Sequence, residues 1–273
     1  MKMKIIKPIE KLIYLVDTDK GKFVLKFSKR LYEAQFSDIL GKDPECNPYI
    51  VCMYKWFDIS HDQAYKLTNG FIGNIKEPPI VRAYIEGKLT EINLFHPSDK
   101  YTGILLEPMD GTVEYLKKAE FFKNNNQEII KLLIFGLLGL AYIHSKNISH
   151  QDIFDANILF KNTSNGMIYK ISDFGEACGE PVNKCFDLEF CKKEDVTMFG
   201  KTIFEIMTGK YFYEDNDLDD INIFLNKFII PKEWSNNMRI IFNIVKDMIL
   251  SNETNAEKLL NIINDNSINI KSI

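Results

Sequence analysis

Residues 147–160 read NISHQDIFDANILF, and this stretch decides the fold. Asp152 and Asn157 lie five positions apart in a segment predicted to connect a helix to a strand. A carboxylate and a side-chain amide at this spacing suit phosphoryl transfer, because one can orient an attacking hydroxyl while the other reaches a divalent cation. His150 is better read as a packed histidine that supports the loop.

Two further groups of residues extend the same chemistry. In the run YKISDFGEA, Asp173 stands before Phe-Gly, and the glycine permits a sharp turn that leaves the carboxylate able to bind metal. In the alternating run KFVLKF, Lys26 can reach from a strand toward phosphate oxygens. Glu33, in the helix that follows, can hold this lysine in place. Glu45 is the fallback partner, although it lies in a turn flanked by proline.

The two motifs together resemble those of protein kinases. SHQDIFDANILF is similar to the catalytic loop HRDxxxxN, and ISDFGEA is similar to the metal-binding DFG segment. The resemblance implies that Asp152 orients the substrate hydroxyl and that Asn157 and Asp173 hold the metal ions, Mg²⁺ or Mn²⁺. It also implies that Lys26 contacts the α- and β-phosphates of ATP. HxDxxxxN followed by DFG at this separation is a specific joint signal.

The resemblance covers nearly the whole chain except 58–100 and the tail. LLEPMDGTVEYL resembles the hinge, with Leu106 as gatekeeper and Glu107 to Met109 offering backbone groups to adenine. Ile13 is expected to contribute to the same nucleotide site. EDVTMFGKTIFEIMTG resembles the helix whose first aspartate, here Asp195, braces the catalytic loop through its backbone.

The order of elements predicts an α+β fold with two lobes, because strands come first and helices later. We expect a small β-rich N-lobe with one helix at 1–109, including an insertion at 58–100, and a mainly helical C-lobe at 110–273. Together they form one kinase-like domain. The predicted helices of the C-lobe are 112–118, 127–146, 195–209, 217–228, 235–250 and 254–265.

Local sequence patterns predict the individual strands and the helix of the N-lobe. KLIYLVDTDKGKFVLKF predicts a β-hairpin around Asp-Thr-Asp-Lys-Gly, and KRLYEAQFSDIL predicts a short amphipathic helix. NPYIVCMYKWFD and YTGILLEPM predict two further strands. Within the insertion, PIVRAYI is a candidate strand, and the length of the segment is too great for a hairpin loop.

Four departures from the kinase pattern bear on activity. No glycine-rich loop is visible, since KIIKPIEKLIYLV occupies its place, where Lys11 could substitute as a point charge on the phosphates. Phe154 stands where Ser/Thr kinases carry a lysine, and Gln151 replaces the arginine that pairs with a phosphorylated activation loop. Asp195 follows Asp173 by only 22 positions, and no APE motif lies between them. The stretch SNETNAEKLL, where relatives carry the arginine that pairs with the APE glutamate, contains no arginine. Because both partners of that pair are missing, the pattern indicates a settled minimal architecture.

Composition restricts the partners. The net charge of −4 gives no basic surface for nucleic acid, and 45% hydrophobic residues indicate a globular chain. The most apolar run, IIKLLIFGLLGLAYIH, is shorter than a membrane span needs and is interrupted by Lys131. Five cysteines without a CxxC pair predict reduced thiols in an intracellular, cytoplasmic setting. Heavy use of Ile, Asn and Lys is associated with A+T-rich genomes, such as those of parasites or large DNA viruses. A viral protein of this kind would be located in the host cytoplasm or in the virion.

These observations favour an atypical Ser/Thr protein kinase that uses ATP and Mg²⁺ on a protein substrate. One alternative is a pseudokinase that binds another protein, with the insertion at 58–100 as its partner surface. The missing glycines and Phe154 motivate this alternative. A small-molecule phosphotransferase fits the short activation segment but not the closing helices, which resemble those of protein kinases.

Overall fold

The computed structural model describes residues 3–10, 12–67, 80–85, 88–93, 100–180, 182–212 and 218–266. The chain divides into two compact units. The first comprises Met1–Cys46 and Cys52–Pro108, and the second comprises Asn47–Val51 and Met109–Ile273. This is the α+β architecture expected of a two-lobed kinase.

The first unit is built on an antiparallel sheet of five strands in the order β1-β2-β3-β7-β4. A separate hairpin, β5-β6, lies in the insertion. The strands and helices of this unit are β1 Met3–Glu10, β2 Ile13–Thr18, β3 Gly21–Ser28, α1 Leu31–Gly41, β4 Met53–Ser60, α2 His61–Leu67, β5 Ile80–Ile85, β6 Lys88–Asn93 and β7 Lys100–Leu106.

The predicted hairpin and helix of this unit are both confirmed. β2 and β3 pair from Ile13↔Lys26 to Thr18↔Gly21, and Gly21 takes a φ of 117°, which a residue with a side chain rarely adopts. The hairpin buries Val16 and Leu25 completely. α1 is present as predicted, but only part of its expected apolar face is buried, since Phe36 and Leu40 lie inside while Leu31 and Ile39 are exposed.

β1 was not foreseen and forms one edge of the sheet. It pairs with β2 through a ladder that is irregular at two points, between Ile5 and Lys7 and between Pro8 and Glu10. Most of its side chains are exposed. Since β1 ends at Glu10 and β2 begins at Ile13, only two residues connect them, neither a glycine. Lys11, considered a substitute phosphate contact from the sequence, lies outside the described residues.

The second unit is mainly helical, with two small sheets ordered β11-β10-β8 and β12-β9. Its elements are β8 Gly111–Thr112, α3 Val113–Lys118, α4 Asn126–Ser145, β9 Ile148–Ser149, β10 Ile158–Thr163, β11 Gly166–Ile171, β12 Cys178–Gly179, α5 Leu188–Thr208, α6 Leu218–Lys227, α7 Asn236–Ile249 and α8 Ala256–Asp265. Each of the six predicted helices is present.

α4 is the central helix of this unit. Leu132, Leu133, Leu137 and Leu140 along it are fully buried. Gly136 lets α5 approach closely, because a Cβ there would meet the Phe199 ring at 2.1 Å. Among the described residues α4 alone has the length and apolar composition to cross a membrane, yet 61% of that window is buried inside the protein. Its burial is that of a core helix.

Two predicted boundaries are corrected. α5 begins at Leu188, seven residues before the expected start, because the Asp187 side chain accepts a hydrogen bond from Phe190 N and caps the helix. β4 begins at Met53 rather than at Asn47. The preceding residues belong to the second unit, where Val51 N donates to Ile171 O.

The cysteines also differ from expectation. The structure contains the disulfides Cys46–Cys52 and Cys178–Cys185, and Cys191 is a free thiol. The sequence predicted reduced thiols because no short CxxC pair is present. The backbone instead brings the Cα atoms of each pair to 5.3 and 5.2 Å, within the range that a disulfide spans.

Candidate active site

The loop that carries Asp152 is held by a buried carboxylate on α5. Asp195 is fully buried, and its Oδ2 accepts from His150 N and from Ser149 Oγ, both at 2.8 Å. Its Oδ1 accepts from Gln151 N at 2.7 Å, and His144 Nε2 lies 3.0 Å from Oδ2. The expected brace by Asp195 is confirmed. The contact of His144 was missed, since that histidine was assigned to packing.

Asp152 and Asn157 are in direct contact. Asn157 Nδ2 donates to Asp152 Oδ2 at 2.8 Å and to the Asp152 carbonyl at 2.9 Å. The five-residue spacing therefore closes a compact loop that fixes the orientation of the carboxylate. Because Nδ2 makes both bonds, Oδ1 of Asn157 could serve as an oxygen ligand for a cation.

Asp173 follows β11 in an unusual backbone conformation. Its φ is 63°, and its Oδ1 accepts from Gly175 N at 3.2 Å, which closes a tight turn. Left-handed backbone at a residue other than glycine costs free energy and is concentrated at functional sites. The following side chain, Phe174, is 2% exposed and lies against the His150 ring, so the turn is anchored by packing.

The electrostatics of this loop are those of a crowded acidic site. Burial raises the pKa of Asp152, and the carboxylates of Asp173 and Glu176 raise it further, although the hydrogen bond from Asn157 opposes them. Asp173 is therefore close enough to Asp152 for the two negative charges to repel. A divalent cation would relieve this repulsion.

His150 is buried, as predicted for a packed histidine that supports the loop. Burial lowers the pKa of its imidazole despite the nearby Asp195 carboxylate. Its Nε2 lies 2.8 Å from Ser172 O, and its Nδ1 accepts from Asp152 N at 3.2 Å. The ring thus joins the backbone before Asp173 to the backbone of Asp152.

In the first unit Lys26 and Glu33 form an ion pair, with Lys26 Nζ 2.7 Å from Glu33 Oε1. Glu33 is 5% exposed, so the pair is well shielded from water. Glu45, the fallback partner, is exposed. The contact proposed from the sequence is present, and the phosphate-binding role of Lys26 stays a prediction.

Two of the predicted adenine-binding residues lie on the strands that flank β3, the strand that carries Lys26. Ile13 is the register partner of Lys26, and Leu106 pairs with Val24 on the other side of β3. Glu107 N donates to Cys52 O, and its buried side chain accepts from Cys52 N at 2.7 Å, which fixes the strand end. Met109 begins the second unit.

Sequence reasoning missed a cationic partner of the catalytic loop. Lys117 on α3 forms ion pairs with Asp155 and, at 3.3 Å, with Glu205 on α5. Burial lowers the pKa of Lys117, but the two carboxylates together outweigh it and the pKa is raised. A single lysine far from the motif in sequence offers no pattern that would identify it. Phe154 is 38% exposed, so no packing explains an aromatic residue there.

The side chain of Gln151 forms two hydrogen bonds beside the catalytic loop. Its φ is 64°, and its side-chain Nε2 donates to Ser149 Oγ at 2.8 Å and to Cys191 O at 3.1 Å. The residue that replaces the arginine of the kinase motif therefore connects the catalytic loop to the first turn of α5 without any phosphate.

The donor set of the loop fits a hard divalent cation. Asp173 and Asn157 offer carboxylate and amide oxygens, which Mg²⁺ prefers, and the repulsion between Asp152 and Asp173 supplies a reason for a cation to bind. On the same turn Gly175 keeps the Asp173 carboxylate oriented.

Comparison with known proteins agrees with this geometry. Residues 74–264 match the family model described as the protein kinase domain, which is more than half of the chain.

Individual relatives are distant. The chain is 37% identical over 98 residues, 30% of its length, to a putative serine/threonine-protein kinase/receptor of Acanthamoeba polyphaga mimivirus, of which the match covers 6%. It is 27% identical over 167 residues, 51% of its length, to a probable serine/threonine-protein kinase of Plasmodium falciparum, and 28% identical over 178 residues, 52% of its length, to a second mimivirus kinase. The match spans 32% of each of these two relatives.

Proposed function

The chain belongs to the eukaryotic-type protein kinase superfamily, and from this premise we propose that it transfers the γ-phosphoryl group of ATP to serine or threonine hydroxyls of a protein substrate. We infer the serine/threonine specificity from the distant relatives, which are named as serine/threonine-protein kinases. The observation that carries the proposal is the pair of hydrogen bonds that fixes Asp152 on Asn157.

In this proposal Asp152 receives the substrate hydroxyl. Its carboxylate is oriented by Asn157 and accepts the hydroxyl proton or directs its oxygen lone pair at the γ-phosphorus. The raised pKa of Asp152 makes it a better proton acceptor than an ordinary aspartate. Asn157 and Asp173 would hold the divalent cation, which neutralises charge on the phosphates.

The cation on the phosphate tail is assigned to Lys26. Its ion pair with Glu33 limits the rotamers of a long side chain, so the ammonium group is presented in one orientation. Phosphoryl transfer needs such positioned charge more than covalent help from the protein.

The test is transfer of label from γ-labelled ATP to a panel of proteins and peptides in the presence of Mg²⁺ or Mn²⁺. Wild type is compared with Asp152→Asn and Asp173→Asn, and Asp17→Asn serves as the control because Asp17 is exposed on β2. We expect the first two changes to lower the rate about 10²- to 10⁴-fold and the control to have no effect. Undiminished transfer by both site variants would refute the assigned roles.

A second candidate function, a protein-binding pseudokinase, has one observation in its favour. The connection between β1 and β2 is two residues long and lacks glycine, so it offers few backbone N–H groups to cover phosphates. Phe154 also leaves the loop without the usual lysine. In this case the insertion at 58–100 would supply the partner surface.

Nucleotide titration separates the two candidates. A kinase should show an increase in melting temperature with ATP and Mg²⁺ that is lost in Lys26→Met. The pseudokinase alternative is supported if millimolar nucleotide produces no shift in wild type and no label transfer occurs.

A further inference from the structure

Three sulfur atoms lie together in the segment between Asp173 and Asp195. The Sγ atoms of Cys178, Cys185 and Cys191 are all within 4.8 Å of one another. The first two form a disulfide, and the third is a free thiol. Each sulfur of the bond thus has the Cys191 thiol as a near neighbour, which is the arrangement that thiol–disulfide exchange requires.

Cys178 is held firmly by the backbone. It lies in β12, which pairs with β9 as Cys178↔Ser149, directly before the catalytic loop. The next residue, Gly179, has no room for a side chain, since a Cβ would meet Asn147 O at 2.4 Å. Cys178 therefore cannot follow a movement of the segment without separating β12 from β9.

Cys191 is held by α5. Its backbone N donates to Asp187 O in the first turn, and its carbonyl accepts from the Gln151 side chain at 3.1 Å. Cys178 and Cys191 are thus each attached to the start of the catalytic loop, the first through Ser149 and the second through Gln151.

Cys185 has no such support. Within the described residues it makes no backbone hydrogen bond, and the residue after it, Phe186, is fully exposed. It lies between the turn closed by Gly179 and Asn183 and the start of α5 at Leu188. Of the three cysteines, this one has the freedom to change partners.

We propose that Cys185 exchanges its disulfide partner between Cys178 and Cys191, and that this exchange regulates the kinase activity proposed above. In the Cys178–Cys185 form the segment around Cys185 is covalently attached to β12. In the Cys185–Cys191 form it is attached to α5, and the loop closed by the bond between Cys178 and Cys185, which are seven positions apart, is released. This inference about regulation rests on the proposed function, whereas the exchange itself does not.

The step is balanced without an external oxidant. The Cys191 thiol loses its proton, and the thiolate attacks Cys185 Sγ. The Cys185–Cys191 bond forms as the Cys178–Cys185 bond breaks, and Cys178 leaves as a thiolate that takes up a proton. Reduction of the disulfide, which leaves all three cysteines as free thiols, needs two electrons and two protons from a dithiol reductant.

Burial, and after it the Asp195 carboxylate, raises the pKa of the Cys191 thiol. A raised pKa leaves less of the attacking thiol as thiolate, so exchange is slow without a thiol catalyst. In the reducing compartment that we expect for this chain, a disulfide is more often a transient redox sensor than a permanent structural bond.

Disulfide mapping tests the exchange independently of activity. Trypsin cleaves after Lys184 and Lys192, which separates Cys178 from the other two cysteines, and chymotrypsin cleaves after Phe186 to separate Cys185 from Cys191. After equilibration in a monothiol redox buffer at pH 8, we expect wild type to contain both Cys178–Cys185 and Cys185–Cys191. Cys191→Ser should contain only the first bond, and Cys178→Ser only the second.

Activity of the two locked forms tests the regulation. Under oxidising conditions Cys191→Ser should phosphorylate protein substrate with a kcat/KM about tenfold above that of Cys178→Ser, and a dithiol should abolish the difference. Cys46→Ser, in the other unit, should keep the redox response of wild type. If Cys178→Ser does not fold, wild type equilibrated at pH 8 still shows whether the second bond forms.

Three outcomes overturn the proposal. One is the absence of a Cys185–Cys191 bond in wild type and in Cys178→Ser. Another is equal activity of the two locked forms. The third is a stoichiometric zinc ion in the purified wild type that Cys191→Ser loses, because the cluster would then be a metal site. If no variant transfers phosphate, the proposed function fails, and the mapping still decides whether exchange occurs.

Discussion

The side-chain amide of Asn157 donates to both the carboxylate and the carbonyl oxygen of Asp152. One amide therefore fixes the position of the proposed base from two directions and keeps its own oxygen for a cation. Removal of Asn157 would affect orientation and metal binding together, and this double role leads to the first prediction.

Asn157→Ala should raise the Mg²⁺ concentration needed for half-maximal transfer about tenfold and lower kcat as well, because Asp152 loses both bonds. The measurement is a Mg²⁺ titration of label transfer at saturating ATP. Asn162→Ala is the matched control, since its side-chain amide donates to the exposed Asp110 rather than to Asp152. An unchanged Mg²⁺ requirement in Asn157→Ala would remove this residue from the metal site.

Glu33→Gln should raise the KM for ATP about tenfold, because Lys26 loses the carboxylate that orients its ammonium group. Glu45→Gln, at the exposed fallback position, should leave KM unchanged. The KM for ATP of each variant is obtained from initial rates measured over a series of ATP concentrations. The reverse pattern would mean that Glu45 approaches Lys26 in the active state.

Phe154→Lys should raise kcat about tenfold, which corresponds to roughly 1.4 kcal/mol of barrier, because a cation would then stand beside the transferring phosphoryl group. Since Phe154 is 38% exposed, its removal leaves no internal cavity. Phe190→Lys, at 59% exposure on α5, adds the same charge elsewhere and should not change kcat. A fall in kcat for Phe154→Lys would indicate that the aromatic ring itself contacts the substrate.

The acid limb of the pH profile should lie above the ordinary aspartate pKa of 3.8, because burial raises the pKa of Asp152 and a protonated base is inactive. Glu176→Gln removes a carboxylate that raises this pKa, so the limb should move to lower pH. Glu180→Gln, whose side chain is exposed, should not move it. The measurement is kcat/KM across the acidic pH range. A shift of the acid limb to higher pH in Glu176→Gln would contradict the assignment of Asp152 as the base.

Asp195→Asn should lower the free energy of unfolding by about 2–4 kcal/mol, because a neutral amide has one acceptor oxygen where four donors now converge. Thr197→Val, two residues along α5, removes a buried neutral hydrogen bond and should cost about 1 kcal/mol. Urea denaturation compares them. Equal losses would show that the buried charge contributes nothing beyond an ordinary hydrogen bond.

The sequence predicted best where chemistry and periodicity are local. The spacing of Asp152 and Asn157 and the apolar period of α4 were sufficient to place the catalytic loop and the helix before it. The β2–β3 hairpin followed from Asp-Thr-Asp-Lys-Gly for the same reason. Each of these features depends on residues within one turn or one strand pair.

Prediction failed where a contact joins distant segments or a cap overrides the pattern. The ion pair of Lys117 with Asp155 spans α3 and the catalytic loop, and nothing near Lys117 in sequence indicates it. The early start of α5 depends on one capping bond from Phe190 N to Asp187, in a stretch whose charged residues hide the apolar period. The clustering of three cysteines likewise required the turn at Gly179.

β1 lies at the open edge of its sheet, where a flat strand could recruit a second chain and begin aggregation. Here Pro8 removes one amide donor, Lys4 and Lys7 add charge, and the two breaks in its ladder with β2 distort the row of remaining backbone groups. These features of β1 disfavour the addition of a strand from a second chain at this edge.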